Sequence, residues 1–204
     1  MNILAIGAHP DDIEYGCGGT LLQYANHHHK ISLYVVTDGG FGGDPATRRK
    51  EQERACSFMG GQLYWGDLKD TEVSDNHELI LSIESIIEKV KPELVLINYA
   101  EDIHQDHRAI SLATISATRY IKEVLFYEVP TTFNFNPDIF VDIEDVLLKK
   151  LELLGLHASQ VNKTKVKNLT ILESVKSCAN FRGFQGRVKY AEGFKAVRLL
   201  REIA

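Results

Sequence analysis

The sequence ILAIGAHPDDIE, at residues 3–14, passes from an apolar run directly into a cluster of acidic residues around one histidine. A short apolar run that ends in turn residues is typical of a buried strand. A second such run, ELVLI at residues 93–97, is soon followed by HQDH at residues 104–107. Ligands of open α/β sheets gather beyond the carboxyl ends of the strands, so we expect the two polar clusters to meet at one sheet edge.

Along the rest of the chain, strand-like segments alternate with helix-like segments. Such alternation predicts βαβ units, and we expect a Rossmann-like three-layer α/β sandwich with a mostly parallel central sheet. We expect one domain, residues 1–204, because the length suits a single core. The predicted strands are 3–7, 31–36, 63–65, 93–97, 124–127 and 139–143, and the predicted helices are 18–29, 48–59, 76–89, 108–120, 146–156 and 168–181.

The composition argues against several functional classes. A net charge of -5 at pH 7 is opposed to the basic face that nucleic-acid binding needs. No apolar run approaches the ~20 residues of a membrane span, and the first residues lack the features of a signal peptide. Cys17, Cys56 and Cys178 lack CxxC spacing, so neither a disulfide framework nor a thiolate zinc site is indicated. We expect a cytoplasmic enzyme that binds neither nucleic acid nor a membrane.

The first polar cluster contains donor atoms that suit zinc. Histidine nitrogens and carboxylate oxygens bind Zn²⁺, and three protein ligands plus a water make a catalytic site. One histidine and one carboxylate can hold the metal while a neighbouring carboxylate accepts the proton of the water. The spacing does not tell which of Asp11 and Asp12 has which role. Taken alone, the cluster is also compatible with a helix-capping turn.

The second cluster favours the metal site. His104 and His107 share a helix face if the helix begins there; otherwise a loop presents one as a ligand and the other as a donor to developing negative charge. Asp106 is able to orient either histidine through its second ring nitrogen. The alternative is an exposed loop with a helix cap at Asp102 or Asp106. Two His/Asp groups after two separate strands make that alternative the weaker one.

Together the motifs resemble the PIG-L/LmbE-like family of zinc-dependent N-acetylglucosaminyl deacetylases. The resemblance is carried by AHPDDIE at 8–14, GCGGT at 16–20 and HQDH at 104–107, and it extends to TDG at 37–39, the R-x-x-E-x-x-x-A helix that starts at Arg48, SQ at 159–160 and YAEGF at 190–194. Members hydrolyse the acetamide of N-acetylglucosamine units and release acetate and a free amine. The resemblance therefore implies an amidohydrolase that acts on an amino sugar or its glycoside.

Position by position, the resemblance implies that His9, Asp12 and His107 are the zinc ligands. Asp11 would then be the general base that acts on the water. This division of roles agrees with the residue chemistry, because neighbouring carboxylates do not easily ligate one metal together.

The remaining site residues also follow from the resemblance. His104 would donate to the tetrahedral oxyanion or protonate the departing amine, and Asp106 would hold His104 in its donor form. Arg48 matches an arginine near the substrate. Family members often form trimers or hexamers, so a homo-oligomer is expected.

Two other functions are open at this stage. A metallophosphoesterase also uses His/Asp clusters, but it normally needs more ligands, for two metals about 3.5–4 Å apart. A non-catalytic sugar-binding module could keep the fold, although binding alone does not require a base. The sequence does not tell which N-acetylated sugar is used. The glycine-rich loop at 39–43 is either a rim over the sugar pocket or a plain solvent loop.

Overall fold

The computed structural model describes residues 1–200 of the chain, and in that part seven strands form one sheet. The strands are β1 (Asn2–Gly7), β2 (Lys30–Thr37), β3 (Gln62–Leu68), β4 (Leu94–Asn98), β5 (Glu123–Tyr127), β6 (Ile139–Asp142) and β7 (Ala191–Arg198). The helices are α1 (Asp12–Asn26), α2 (Pro45–Phe58), α3 (His77–Val90), α4 (Gln105–Ala117), α5 (Leu147–Gly155) and α6 (Ile171–Gly186). A short 3₁₀ turn, Glu144–Val146, precedes α5.

The sheet has the order β3-β2-β1-β4-β5-β7-β6. Strands β1 to β5 pair in parallel, whereas β7 pairs antiparallel with both β5 and β6. Alternate residues of β1 face opposite sides of the sheet: Ile3 and Ala5 belong to one buried apolar cluster, and Leu4 and Ile6 to another. Both faces are therefore covered, which confirms the predicted α/β sandwich with a mostly parallel sheet.

Helix α1 begins at Asp12, although the sequence predicted a start at Gly18. Glycine disfavours helices, yet the glycines of this segment are needed for close packing. A Cβ atom at Gly16 would lie 2.1 Å from the Tyr127 ring, and one at Gly19 would lie 2.9 Å from the Ile143 side chain. Packing outweighs the poor helix propensity of glycine here.

A buried ion pair joins α1, α5 and β7. Glu192 accepts hydrogen bonds from the backbone N–H groups of Gly19 and Thr20, each at 2.7 Å, and it pairs with Lys150. The Lys150 ammonium also donates to the Tyr15 carbonyl at 2.6 Å. In an uninterrupted helix the Gly19 N–H would donate to that same carbonyl. The ion pair is thus inserted into one turn of α1. The Glu192 carboxylate binds the N–H groups of Gly19 and Thr20, and the Lys150 ammonium binds the Tyr15 carbonyl.

Strand β7 was not predicted. It lies between two other strands and is buried at Ala191, Glu192, Gly193 and Phe194, so it lacks the polar and apolar alternation of a half-exposed strand. The charged residue Glu192 also interrupts the continuous apolar run that is typical of a strand buried on both faces. Among the helices within residues 1–200, none combines the length and the apolar character that crossing a bilayer requires.

Candidate metal centre and active site

The two polar clusters meet at the carboxyl ends of β1 and β4, as expected. These strands are parallel neighbours in the sheet, so the turns that follow them lie side by side. His9 follows β1 and Asp12 opens α1, whereas His104 caps the N-terminus of α4 and His107 lies in its first turn. All four line a cavity of about 410 Å³.

Three donor atoms in this cavity form a nearly equilateral triangle. His9 Nδ1 lies 3.1 Å from His107 Nε2 and 3.4 Å from Asp12 Oδ2, and His107 Nε2 lies 3.2 Å from Asp12 Oδ2. In a tetrahedral zinc site with bonds of about 2.0–2.1 Å, the ligand atoms are about 3.3 Å apart. The side chains are at most 9% exposed. The residues present therefore fit one tetrahedral metal ion and leave a fourth position for a ligand from outside the protein.

Other groupings of donor atoms overlap this triangle. Ligand atoms of His9, His104 and His107 lie within 4.8 Å of one another, and so do those of His9, Asp70, His104 and Asp106. We prefer the triangle with Asp12 because all three of its separations, 3.1, 3.2 and 3.4 Å, match those of a tetrahedral site.

The second nitrogen of His9 is held by two carboxylates. His9 Nε2 lies 3.0 Å from Asp70 Oδ1 and 3.2 Å from Asp106 Oδ2. Asp106 also accepts hydrogen bonds from the backbone N–H groups of Thr71 at 2.8 Å and Val73 at 3.3 Å. The prediction that the Asp106 side chain holds His104 is therefore wrong. Because α4 begins at Gln105, the Asp106 carboxylate turns toward the loop after β3 and reaches His9.

His104 is oriented by a backbone group. The N–H of Asp106 donates to His104 Nδ1 at 3.2 Å, as part of the N-terminal cap of α4. Burial lowers the pKa of His104, and the neighbouring His9 and His107 lower it further. A neutral His104 with an acceptor at Nδ1 carries its proton on Nε2, so this ring is a hydrogen-bond donor from Nε2.

His107 has its own carboxylate partner. His107 Nδ1 lies 3.2 Å from Asp102 Oδ1, and the fully buried Asp102 also accepts from the His104 N–H at 2.8 Å and the Thr132 hydroxyl at 2.9 Å. Such partners fix the tautomer and the direction of a metal-binding histidine. Sequence reasoning considered Asp102 only as a possible helix cap.

Replacing Asp102 with Asn should weaken metal binding about 10–100-fold, the usual effect of losing such a partner. The amide has one acceptor oxygen for three donors and carries no charge to support the His107 ring. The measurement is the metal dissociation constant, by competition with a chromophoric chelator. The control is Glu101→Gln at the exposed neighbouring residue. An Asp102→Asn protein with unchanged metal affinity would contradict the role.

Asp11 and Arg48 lie together beside the triangle. Asp11 caps α1, yet its side chain makes no capping hydrogen bond and remains 26% exposed in the cavity wall. Arg48 Nη2 lies 3.4 Å from Asp11 Oδ2 and donates to the Pro10 carbonyl at 2.6 Å, while Nη1 donates to the Gly39 carbonyl at 2.7 Å. Arg48 therefore ties the first polar cluster to the glycine-rich loop.

The two neighbouring aspartates differ in electrostatic environment. Burial raises the pKa of Asp11 to about 6, although the Arg48 charge opposes this shift. Burial acts in the same direction on Asp12, but the charge and hydrogen bonds of His107, together with hydrogen bonds from His9, hold the pKa of Asp12 well below its ordinary value. Asp12 is thus the carboxylate that remains ionised against the histidines.

The rest of the cavity wall is largely apolar. Phe41 is 74% exposed and lines the mouth together with Gly42, so the glycine-rich loop does border the cavity. The other apolar lining residues are Tyr15, Val129, Pro130, Leu154 and Ile171. Asp70, which lies after β3, also lines the cavity; sequence reasoning missed it because no motif marks that loop.

The family model described as GlcNAc-PI de-N-acetylase (PIG-L) matches residues 4–118 of this chain. The chain is 37% identical over 167 residues to the uncharacterized deacetylase YaiS of Escherichia coli (strain K12), with 77% of this chain and 90% of that protein covered. It is 31% identical over 193 residues to the probable N-acetyl-alpha-D-glucosaminyl L-malate deacetylase 2 of Bacillus anthracis. That match covers 82% of this chain and 84% of the Bacillus protein.

A solved structure resembles the whole described fold. The conserved protein TT1542 from Thermus thermophilus superposes with a TM-score of 0.89, covering 100% of this chain and 97% of that one. The sequences are 23% identical, so this likeness concerns the fold alone.

Proposed function

Because the chain belongs to the PIG-L family of de-N-acetylases, we propose that it is a zinc-dependent N-deacetylase of an N-acetylglucosamine-type sugar or its conjugate. The reaction hydrolyses the acetamide and releases acetate and a free amine. The observation that carries the proposal is the donor triangle of His9, Asp12 and His107 beside a carboxylate that is free to act as a base. Zinc at this triangle would polarise the amide carbonyl and lower the pKa of a water.

Asp11 is the residue that takes the proton of the attacking water. Its carboxylate faces the cavity, adjacent in the chain to the ligand Asp12, and is not used for helix capping. Arg48 at 3.4 Å favours its ionised form. A positioned carboxylate of this kind contributes about 10²–10⁴-fold to the rate of a hydrolysis.

His104 donates from Nε2 to the carbonyl oxygen as negative charge develops there. The cap hydrogen bond at Nδ1 fixes the ring before substrate arrives, and donors that are fixed in advance stabilise developing charge most effectively. The same ring is placed to pass a proton to the departing amine. Asp106 and Asp70 support this arrangement indirectly, by orienting His9.

The alternatives are less well supported. A two-metal phosphoesterase needs two separate sets of ligands, and the other large grouping among residues 1–200, formed by His9, Asp70, His104 and Asp106, shares His9 with the donor triangle. A sugar-binding module would not need Asp11 in addition to the metal ligands. A homo-oligomer, a cytoplasmic location and a single domain over residues 1–204 stay predictions.

Amine release from N-acetylglucosamine and simple N-acetylglucosamine glycosides tests the proposal. The protein is purified, its metal content is counted, and free amine is measured with and without a chelator. We expect one metal per chain and release that stops with chelator and returns with Zn²⁺. Absence of both bound metal and amine release after reconstitution would overturn the proposal.

A further inference from the structure

Asp11 has a backbone conformation that most side chains avoid. Its φ is 96° and its ψ is -23°, in the left-handed region. A non-glycine residue with such a φ persists only where the surrounding structure holds it. The direction of the Asp11 carboxylate depends on this conformation, so whatever holds the backbone also aims the side chain.

Two side chains of α2 hold the peptide group between Pro10 and Asp11. Arg48 Nη2 donates to the Pro10 carbonyl at 2.6 Å, and Gln52 Oε1 accepts from the Asp11 N–H at 3.4 Å. Positions 48 and 52 are one helical turn apart and lie on the same face of α2. The carbonyl and the N–H of one planar trans peptide point in opposite directions. The two contacts therefore fix the peptide plane from both sides.

Glu14 determines which end of the Gln52 amide faces Asp11. Gln52 Nε2 donates to Glu14 Oε1 at 2.6 Å, and both residues are fully buried. A carboxylate accepts hydrogen bonds but does not donate them. It must therefore take the NH₂ end of the amide, which leaves the oxygen for the Asp11 N–H. Glu14 Oε2 is in turn 3.4 Å from Nε2 of the buried His157.

We propose that Gln52 is a positioning residue for the reaction: oriented by Glu14, it holds the Asp11 backbone so that the carboxylate points into the cavity. The inference rests on the proposed function, in which Asp11 is the base. Gln52 is not among the residues that line the cavity, so its effect on the reaction passes through Asp11.

The first test is Gln52→Met, which keeps the length of the side chain and removes both hydrogen bonds. We expect kcat to fall about 10–100-fold, since small displacements of a reacting group have effects of this size. KM and metal content should stay near the parent values, because substrate contacts and ligands are untouched. Glu53→Met, on the exposed face of α2, is the matched control and should keep the parent kcat.

The second test exchanges the two partners, as Glu14→Gln combined with Gln52→Glu. The exchange keeps one buried charge and restores every hydrogen bond between them. The new amide at position 14 donates to the new carboxylate at position 52, and that carboxylate also accepts from the Asp11 N–H. We expect this double variant to recover a kcat near the parent value, and it remains informative if Gln52→Met does not fold.

Two results would overturn the positioning role. One is a folded, metal-loaded Gln52→Met enzyme with the parent kcat. The other is a folded, metal-loaded exchange variant that is as slow as Gln52→Met. Failure of the proposed function is distinguishable from both, because the unaltered protein would then release no amine from any N-acetylated sugar.

Discussion

Replacing Asp11 with Asn is expected to lower kcat by about 10²–10⁴-fold while the metal stays bound, because the amide cannot take a proton from water. Asparagine is also well suited to the positive φ at this position, so the backbone conformation should not change. The measurement is kcat for amine release, together with metal content per chain and the midpoint of thermal unfolding.

Two control variants are compared with Asp11→Asn. Asp44→Asn changes the aspartate that caps α2 and should leave kcat unchanged, since both residues are good N-caps. His9→Ala should instead lose the metal together with the activity, because it removes one corner of the donor triangle. Near-normal turnover by Asp11→Asn, with metal content equal to the parent protein, would show that another group is the base.

Replacing Lys150 with Met is expected to lower the free energy of unfolding by about 3–5 kcal/mol, the usual cost of leaving one partner of a buried ion pair alone. Lys150 is 2% exposed, and its loss leaves the Glu192 carboxylate and the Tyr15 carbonyl without their cationic partner. The measurement is urea unfolding followed by circular dichroism, with the slope compared between variants.

Lys149→Met is the matched control, because Lys149 is the exposed neighbour on α5, and its effect should be within about 0.5 kcal/mol. The double variant Lys150→Met with Glu192→Met should recover most of the lost stability. In that protein the Gly19 N–H is free to donate to the Tyr15 carbonyl, as in a regular helix. A Lys150→Met protein as stable as Lys149→Met would mean that the ion pair does not stabilise the fold.

The general layout of the fold was predictable because strands buried on both faces appear as apolar runs. The runs 3–7 and 93–97 marked the two strands that carry the site. The start of α1 was not predictable from propensity, because glycine disfavours helices and only the packing of Gly16 on Tyr127 explains its presence. Strand β7 was not predicted because Glu192 and Gly193 interrupt its apolar run, and both residues are unusual inside a strand.

The part of the site that lies within the two sequence motifs was predictable. His9, Asp12 and His107 come together because β1 and β4 are neighbours in the sheet, and the residue types alone indicated a metal. Which histidine Asp106 orients depends on where α4 begins, and the motif does not specify that residue. Asp70 comes from the loop after β3, so only the assembled sheet places it against His9.

The position of β7 in the sheet has a consequence for the order in which the protein is made. Residues 191–198 form the strand between β5 and β6, yet both of those strands leave the ribosome earlier. Until residues 191–198 emerge, the nascent chain has an open edge at β5. Over the same period β6 lacks β7, the strand with which it pairs among residues 1–200. Open edges pair readily with other chains. A chain stalled just before residue 191 therefore keeps an open edge that can pair with other chains, although the residues of its donor triangle have already been synthesised.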